Sequence, residues 1–472
     1  MPKPPGLTLF DKIWNDHTVE RGEDGSYLIY IDRIFLHERT GSLALSGLES
    51  SGRTTKNPAN VFCTMDHIVD TKPGRSDNTT TPGGKEFIQV TRQLANQHGI
   101  TLFDLEDPMQ GISHVVAAEQ AIALPGCTMI CPDSHTCTLG AIGALATGVG
   151  SSECEHALAT ETLRFFKPKQ MRVQFKGKLS PGVTAKDLAL HLISTFSATG
   201  GSGCAVEFAG PVISELDVEA RQTLCNLAVE FSAFTGIIAP DDKIINYLKN
   251  KPFAPKGQAW QTATKYWSTL QTDVDAKFDH EIEIDCTEIA PTVTWGTSPE
   301  QAVSIEAVVP HPDSTDLASK KNAINRALNY MNLSPGMPIT DLPIQAAFIG
   351  SCTNSRLSDL RIAANILKGR SIAPGVKAIC VPGSTQVKAL AEKEGLDQIF
   401  RQAGFEWRES GCSMCFYAGG EGFNSGDRVI TSTNRNFEGR QGPGTRSHLA
   451  SPATVAASAV TGYITDFRAI QD

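Results

Sequence analysis

The sequence predicts an α/β protein built from several domains. Strand-like and helix-like segments alternate along the 472 residues. At roughly 100–200 residues per domain, a chain of this length is expected to hold two to four domains. With 40% hydrophobic and 20% charged residues, the composition is that of an ordinary globular protein. Such a chain can bury a core without disulfides.

The C-terminal third shows the parallel-sheet pattern most clearly. Strands are predicted at residues 344–350, 376–383 and 428–433, and helices at 352–369 and 385–404. Polar groups follow these strands directly. Cys352 lies just beyond the end of the first strand, and the polar loop "NRNFEGRQGPG" follows the third strand. Ligands of open α/β sheets bind beyond the carboxyl ends of the strands. We therefore expect these loops to form a ligand-binding crevice together with the "SGCSMC" loop.

Two breaks divide the chain into three predicted domains. One lies near "FFKPKQ" (165–170), and the other is the Pro-rich and charged segment 308–322. The predicted domains are residues 1–168, 169–313 and 314–472.

Charge and hydropathy disfavour two classes of protein. A net charge of −9 and a pI of about 5.7 argue against a large nucleic-acid-binding surface. The N-terminal stretch "MPKPPGLTLFDKIW" lacks the apolar core of a secretory signal. The glycine-rich apolar run at 140–150 is far shorter than the about 20 residues of a membrane helix. We expect a soluble, cytoplasmic protein, with a cleaved organellar leader as the alternative.

Three of the twelve cysteines have chemically suggestive neighbours. Cys352 follows a predicted strand, and Cys412 and Cys415 form a C-x-x-C pair. The pair alone fits a redox couple, half a zinc site, half an iron–sulfur site or chance. Three thiolates cannot complete a structural zinc site, which needs four ligands, whereas on a [4Fe–4S] cluster they would leave one iron open. A structural C-x-x-C with an unrelated buried Cys352 is an equal alternative.

A second group of residues has acid–base character. Its members are Asp66 and His67, His114, Asp133 and His135, and Asn226 and Glu230. A carboxylate bonded to an imidazole fixes its tautomer and raises its basicity. The last two residues are four apart, which predicts one helix face. A single Asp–His pair is usually structural, but several together favour an acid–base site.

Two arginines are candidates for anion recognition. Arg435 and Arg440 lie in the loop after the third C-terminal strand, and guanidinium groups suit bidentate carboxylate binding. A solvated loop is the alternative. The run "GAIGAL" carries no phosphate-loop lysine, which argues against nucleotide binding.

These motifs together resemble the aconitase superfamily, and within it the large subunits of isopropylmalate dehydratases. The likeness runs from "LTLFDKIW" to "VTGYITDFR". It rests on "MDH", "QGISHV", "DSHT", "GVTAKD", "LCNLAVE", "TWGTSP", "FIGSCTNSR", "VPGS", "AGFEWRESGCSMC" and "TSTNRNFEGRQG". It implies three aconitase-type α/β domains around a central iron–sulfur cleft, without the swivelling fourth domain.

The resemblance also implies a role for each candidate residue. Cys352, Cys412 and Cys415 would hold a [4Fe–4S] cluster with one open iron. The acid–base pairs would be Asp66–His67, His114–Asp133 and His135–Glu230. The substrate-binding residues would be Ser134, Asn226, Asn434, Arg435 and Arg440.

The implied reaction is the isomerisation of 2-isopropylmalate to 3-isopropylmalate in leucine biosynthesis. It proceeds by dehydration and rehydration, and the open iron would bind the substrate hydroxyl and a carboxylate. His67 is the candidate proton donor to that hydroxyl. The base is a serine on the swivelling domain, so the resemblance implies a separate small subunit that carries it.

The chain departs from the pattern of these dehydratases at several positions. Leu43 stands where a substrate-facing glutamine is typical, Gly419 near a typical asparagine and Pro132 at the glycine of "GDSHT". The segment 71–86 is also unusual. Since pocket contacts decide substrate choice, a paralogue acting on citramalate (methylmalate), dimethylmalate, homocitrate or a secondary-metabolism analogue is the alternative.

Three further classes of protein stay as weaker alternatives. An apo-form RNA-binding regulator is disfavoured by the acidic pI. An electron carrier is disfavoured because its clusters usually have four cysteine ligands. A cluster-free scaffold is disfavoured by the retained cysteines and Asp–His pairs.

Overall fold

The computed structural model describes residues 6–470. Residues 1–5 and 471–472 lie outside that range. The former belong to the stretch predicted to lack a secretory signal, and the latter belong to the third predicted domain. The strands are β1 (Thr18–Arg21), β2 (Ser26–Tyr30), β3 (Arg33–His37), β4 (Val61–Thr64), β5 (Thr101–Phe103), β6 (Thr128–Cys131), β7 (Leu145–Gly148), β8 (Thr162–Phe166), β9 (Lys169–Lys176), β10 (Cys204–Ala209), β11 (Thr235–Ile237), β12 (His280–Asp285), β13 (Thr292–Thr294), β14 (Ala302–Ser304), β15 (Ala346–Ile349), β16 (Lys377–Cys380), β17 (Glu406–Trp407), β18 (Arg428–Thr431) and β19 (Arg446–Leu449).

Most of these strands are connected through α-helices. The helices are α1 (Leu9–His17), α2 (Gly41–Ser50), α3 (Gly84–Gln97), α4 (Ser113–Glu119), α5 (Ser151–Thr160), α6 (Ala185–Phe196), α7 (Pro211–Glu215), α8 (Val218–Asn226), α9 (Asp242–Leu248), α10 (Gln258–Trp267), α11 (Ala318–Met331), α12 (Leu357–Leu367), α13 (Thr385–Lys393), α14 (Leu396–Ala403) and α15 (Pro452–Thr461). Among residues 6–470, none of these helices has the length and apolar character to cross a membrane.

The described chain forms two compact units. The first holds residues up to Ile68, Gly83–Lys178 and Thr199–Asp285, and the second holds Val69–Pro82, Leu179–Ala198 and the chain from Cys286 on. The division into three domains predicted from the sequence stays a prediction. The predicted connection at 308–322 lies inside the second unit, where it contains a short 3₁₀ turn and the start of α11.

The first unit contains two parallel sheets. Strands β5-β4-β3-β6-β7 form a five-stranded parallel sheet, and β11-β10-β9-β12 form a four-stranded one. In the five-stranded sheet β3 lies between β4 and β6, so the residues that follow these three strands emerge at one edge. Buried side chains such as Phe35, Phe62 and Met129 form the core beneath that edge.

The second unit is built on one five-stranded parallel sheet. Its order is β17-β16-β15-β18-β19. Strand β15 is buried along its whole length, as expected of a parallel strand covered on both faces. The loops after β15 and β18 leave the sheet side by side, because these two strands are neighbours.

The predicted α/β class with parallel sheets is confirmed. The three C-terminal strands are confirmed as β15, β16 and β18. The single helix predicted at 385–404 is wrong, because Gly395 adopts φ +74° and separates α13 from α14. Glycine adopts this left-handed conformation without the penalty that other residues incur. The short strands β17 and β19 were not predicted from the sequence.

Candidate active site

His67 lies between two carboxylates in the first unit. Its Nδ1 is 2.6 Å from Oδ1 of Asp66, and its Nε2 is 3.2 Å from Oδ2 of Asp133. Asp66 follows β4 and Asp133 follows β6, so the parallel sheet brings these two carboxylates to the same edge. Because both ring nitrogens face carboxylate oxygens, the doubly protonated imidazolium is the form that matches this environment.

Asp133 collects hydrogen bonds from several sides. Its Oδ1 accepts from Nε2 of His114 at 2.7 Å and from the backbone N–H of His135 at 2.8 Å. The second bond caps the 3₁₀ helix Ser134–Ile142. Burial opposes ionisation of Asp133, but its bonds to His114 and His67 hold its pKa well below the ordinary value. The carboxylate is therefore ionised and able to hold both rings.

His135 is paired with a distant glutamate. Its Nε2 lies 2.9 Å from Oε1 of Glu230, and the Oγ of the exposed Ser134 lies 3.2 Å from its Nδ1. The prediction that Asn226 and Glu230 share a helix face is wrong. Helix α8 ends at Asn226, and Glu230 lies in the following 3₁₀ turn. The Asn226 side chain donates instead to Oγ1 of Thr138 at 2.8 Å.

The structure thus brings six of the predicted residues into three hydrogen-bonded pairs. We call them the acid–base cluster: Asp66, His67, His114, Asp133, His135 and Glu230. Alternating carboxylates and imidazoles can hold a proton at a defined nitrogen and pass it to a neighbouring group. Their catalytic roles stay a prediction.

Two residues beside this cluster were not predicted from the sequence. The ring of His37 is stacked on that of His67, with centroids 3.8 Å apart and planes 18° apart. Oxygens of Glu38 accept from the backbone N–H groups of Asp66 and Ile68. Their signal in the sequence was a polar His-Glu pair directly after the apolar run "IFL" (34–36).

The three predicted cysteine ligands all lie in the second unit, where they are buried. Cys352 follows β15, and Cys412 and Cys415 belong to a tight turn whose backbone N–H of Cys415 donates to the carbonyl of Cys412 at 2.9 Å. Met414, between them, is 1% exposed and packs in the core with Phe348. The core thus fixes the turn that carries two of the three thiols, which we call the cysteine cluster with Cys352.

Polar groups lie close to the sulfur atoms of Cys352 and Cys415. Oγ of Ser351 lies 3.0 Å from Sγ of Cys415, and Nδ2 of Asn434 lies 3.5 Å from Sγ of Cys352. Nη2 of Arg440 lies 3.8 Å from Sγ of Cys415. Hydrogen-bond partners of this kind tune the sulfur ligands of metal centres.

The donor set fits an iron–sulfur cluster. Three buried thiols match the ligand type of such clusters, and the polar groups beside Cys352 and Cys415 match their tuning by hydrogen bonds. Nε of Arg440 is buried and has no hydrogen-bond partner among the described residues, so this guanidinium retains capacity for an anionic group. By contrast, burial raises the pKa of the thiols of Cys131, Cys225 and Cys380 well above the ordinary value, as in inert core cysteines.

The loop that carries the predicted anion-binding residues is held in place. Asn436 donates to Oγ1 of Thr294 at 3.1 Å and to the carbonyl of Gly296 at 2.7 Å. The Arg440 guanidinium lies 5.1 Å from the ring centroid of Phe437. Arg435 is half-buried in the same loop. These contacts keep the loop and the Arg440 guanidinium in place after β18.

Buried Lys186 supports the start of that loop and was not predicted as a site residue. It donates to the backbone carbonyls of Ser432 and Thr433, which directly precede Asn434. In the sequence, the "GVTAKD" motif that contains Lys186 indicated the family resemblance but no particular role for this lysine.

A second support holds the cysteine turn. Oγ1 of Thr71 lies 2.9 Å from Oγ of Ser413 and 2.7 Å from Oε2 of Glu421. Glu421 in turn accepts from Nη1 of the buried Arg408 at 3.0 Å. The unusual segment after Asp70 is therefore part of the support of the cysteine cluster.

The structure also accounts for one departure from the dehydratase pattern. Gly419 has φ +87°, and a Cβ there would lie 3.0 Å from Cδ of Pro82. A side chain at 419 would thus be strained and would press on the 69–82 segment, so these two unusual features lie against each other. Leu43, in α2, is 55% exposed. Pro132 keeps a backbone role, since its carbonyl accepts from Thr40 at 2.8 Å.

Comparisons with known proteins identify the family of the chain. Residues 11–462 match the aconitase family (aconitate hydratase). The 3-isopropylmalate dehydratase large subunit 1 of Bradyrhizobium diazoefficiens is 49% identical over 466 residues, which cover 99% of this chain and 97% of that protein. A crystal structure of Thermococcus kodakaraensis aconitase X (holo-form) aligns with 87% of this chain and 84% of its own, with a TM-score of 0.46 and 13% identity, a likeness too distant to carry an argument. The matched family and the near full-length relative show that the chain belongs to the aconitase family.

Proposed function

We propose that this chain is the large, cluster-bearing subunit of a 3-isopropylmalate dehydratase. It would interconvert 2-isopropylmalate and 3-isopropylmalate by removing and re-adding water. The 49% identity over nearly the whole chain to a large subunit of that name supports this function. The observation that carries the proposal is the His67 imidazole held between two carboxylates, because dehydration needs a positioned proton donor for the leaving hydroxyl.

The proposed cofactor is one [4Fe–4S] cluster. Cys352, Cys412 and Cys415 would hold it, and Arg440 and Asn434 would donate toward its sulfur ligands. When bound through three cysteines, such a cluster supplies a Lewis-acidic iron that polarises the carbon–oxygen bond.

Each residue of the acid–base cluster receives a role in proton handling. His67 donates a proton to the hydroxyl that leaves as water, and Asp66 fixes the ring by accepting from Nδ1. Asp133 holds the rings of His67 and His114 in register through its two oxygens. The His135–Glu230 pair forms a second imidazole–carboxylate unit for the re-addition of water.

The polar and cationic residues bind the substrate. Arg435 and Arg440 would receive substrate carboxylates through their guanidinium groups. Asn434, Ser134 and Asn226 would contribute hydrogen bonds to the same substrate. The carbon-bound proton goes to a serine base on a small partner subunit. We propose that the assembled enzyme acts in the cytoplasm.

A second candidate is a hydro-lyase that acts on another 2-substituted malate. Two observations favour it: the exposed apolar Leu43 stands where the dehydratase pattern has a glutamine, and Gly419, with φ +87°, lies near the asparagine of that pattern. The loss of polar groups near a substrate changes selectivity more readily than it removes the reaction.

The test is turnover by the assembled enzyme. The chain is purified anaerobically, its cluster is reconstituted, and 2-isopropylmalate is added with and without the small subunit. We expect 3-isopropylmalate to form, measured by chromatography, only when both subunits are present. Turnover by this chain alone would contradict the partner, and no turnover by the complex would contradict the assignment.

A further inference from the structure

The residues His37 and Glu38 lie at the same sheet edge as Asp66 and His67. His37 is the last residue of β3 and is paired in parallel register with Thr64, the last residue of β4. His37 is 1% exposed and Glu38 is fully buried. One ligating atom from each of His37, Glu38, Asp66 and His67 lies within 4.8 Å of the others. Such a group could hold a metal ion or could serve to position one of its own members.

The hydrogen bonds of the carboxylates favour positioning. Both oxygens of Glu38 accept from backbone N–H groups, and both oxygens of Asp66 accept, one from His67 at 2.6 Å and one from the N–H of Ser113 at 2.9 Å. A cation at the centre would compete with the four donors that already bond to these carboxylate oxygens. The acids of this group therefore act on the protein itself.

Glu38 holds the backbone on both sides of His67. Its Oε2 accepts from the N–H of Asp66 at 3.0 Å, and its Oε1 accepts from the N–H of Ile68 at 2.5 Å. Residue 67 is thus enclosed by two hydrogen bonds to one rigid carboxyl group. Glu38 directly follows the buried strand β3. The sheet therefore fixes the position of the loop that carries His67.

His37 holds the ring of His67 from one face. The two imidazoles are stacked at 3.8 Å. The hydroxyl of Thr40 donates to the carbonyl of Pro132 at 2.8 Å, so the 2.9 Å contact between this hydroxyl and Nε2 of His37 needs the hydrogen on Nε2. Nδ1 of His37 is then an acceptor, and it is buried without a hydrogen-bond partner. A proton there would have no acceptor, so His37 stays neutral and presents an aromatic face to the His67 imidazolium.

We propose that His37 and Glu38 are positioning residues for the proton donor His67, Glu38 through the backbone of residues 66 and 68 and His37 through the stacked ring. The assignment rests on the proposed function, in which His67 protonates the leaving hydroxyl. It adds to the acid–base cluster two residues that reach the substrate only through His67.

Three variants separate the two interactions. His37→Phe keeps an aromatic face but no ring nitrogen, His37→Ala removes the face, and Glu38→Gln replaces one acceptor oxygen by an NH₂ group that opposes a backbone N–H. His448→Phe is the matched control, because His448 is equally buried and burial lowers its pKa to about 3. It lies in the second unit, where its ring nitrogens contact Arg428 and the carbonyl of Thr294.

The first readout is the pH profile of the assembled holoenzyme. We expect His37→Phe and His448→Phe to keep kcat within about threefold of the wild type. The acid and base limbs of their pH profiles should lie at the same pH as in the wild type. For His37→Ala and Glu38→Gln we expect kcat to fall by about a hundredfold with little change in KM, as misplacement of a reacting group by about 1 Å does. A lower melting temperature with an unchanged kcat and pH profile would overturn the proposal.

The second readout does not depend on turnover and therefore separates the positioning role from the proposed function. Crystal structures of the His37→Ala and Glu38→Gln chains should show the His67 ring displaced, with its 2.6 Å hydrogen bond to Asp66 broken, while His37→Phe leaves the ring in place. If His67 kept its place in both variants, the positioning role would be refuted whatever the substrate of the enzyme. If His67 moved but the wild-type complex acted on no malate, the positioning role would stand and the proposed function would fall.

Discussion

Nε2 of His135 lies 2.9 Å from Oε1 of Glu230, although 95 positions separate the two residues in sequence. The side chains are 5% and 9% exposed, so their interaction is weakly screened by water. A buried carboxylate at this distance stabilises the protonated ring and fixes the tautomer of the neutral one.

Glu230→Gln is therefore expected to impair catalysis with little loss of stability. Glutamine keeps the size of the side chain and one acceptor oxygen, but removes the charge that stabilises the protonated ring. We expect kcat of the holoenzyme to fall about a hundredfold or more, within the range for general acid–base groups. Glu207→Gln is the control, because Glu207 is also buried but bonds to Thr272, outside the acid–base cluster. Equal activities of the two variants would contradict a catalytic pair.

The cysteine cluster predicts a selective loss of iron. Replacement of Cys352, Cys412 or Cys415 by alanine should abolish the broad visible absorbance and most of the iron after anaerobic reconstitution. Cys380→Ala is the control, since burial raises the pKa of that thiol well above the ordinary value. Iron content and absorbance are measured on the full chain. Full cluster content in Cys412→Ala would argue against its assignment as a ligand.

Thr71→Val tests the support of the cysteine turn. The hydroxyl lies 2.9 Å from Ser413 and 2.7 Å from Glu421, and valine fills the same space without it. We expect a loss of about 1 kcal/mol of local stability and a faster decay of the visible absorbance in air, because the turn opens more often. Thr79→Val, which loses a bond to Asp70 instead, is the control. If Thr71→Val and Thr79→Val lost their absorbance at the same rate, the Thr71 hydroxyl would have no particular part in protecting the cluster.

His37 predicts a pH dependence of stability. Burial, together with the charge of His67, lowers the pKa of His37 to about 3, whereas an unfolded histidine titrates near about 6.5. Between these values the unfolded chain binds a proton here that the folded chain does not, so the free energy of unfolding falls as the pH falls. At about pH 5, wild type should take up about one proton more on unfolding than His37→Phe, a slope difference of about 1.4 kcal/mol per pH unit. Equal proton uptake would show that His37 is protonated in the folded chain.

The sequence alone predicted the parallel strands of the C-terminal third because each is a short buried apolar run. Strand β15 has every residue buried, and β16 and β18 lie beside it. The edge strands β17 and β19 were missed, since two to four residues give no clear period. The helix break at Gly395 was missed because a single glycine inside a helical pattern is often tolerated.

The candidate residues that carry chemistry could be predicted, but their supports could not. His67, His135 and the three cysteines belong to recognisable motifs. Glu38 acts through backbone N–H groups 28 and 30 positions away, and Lys186 acts through carbonyls about 250 positions away. Such contacts depend on which strands are neighbours, and that information appears only in the folded chain. For Asn226 and Glu230 the sequence predicted a structural relationship that the fold does not have. Their spacing of four predicted one shared helix, but α8 ends at Asn226, before Glu230.

The most direct test of the proposed function is kcat/KM of the reconstituted two-subunit enzyme on a series of substituted malates. The series holds 2-isopropylmalate, citramalate, dimethylmalate and homocitrate, each assayed anaerobically at the same cluster content. We expect the highest value for 2-isopropylmalate, with 3-isopropylmalate as the product and no turnover by His67→Ala. Exclusive turnover of a different malate would contradict the substrate, and full activity of His67→Ala would contradict the role of the imidazole held between Asp66 and Asp133.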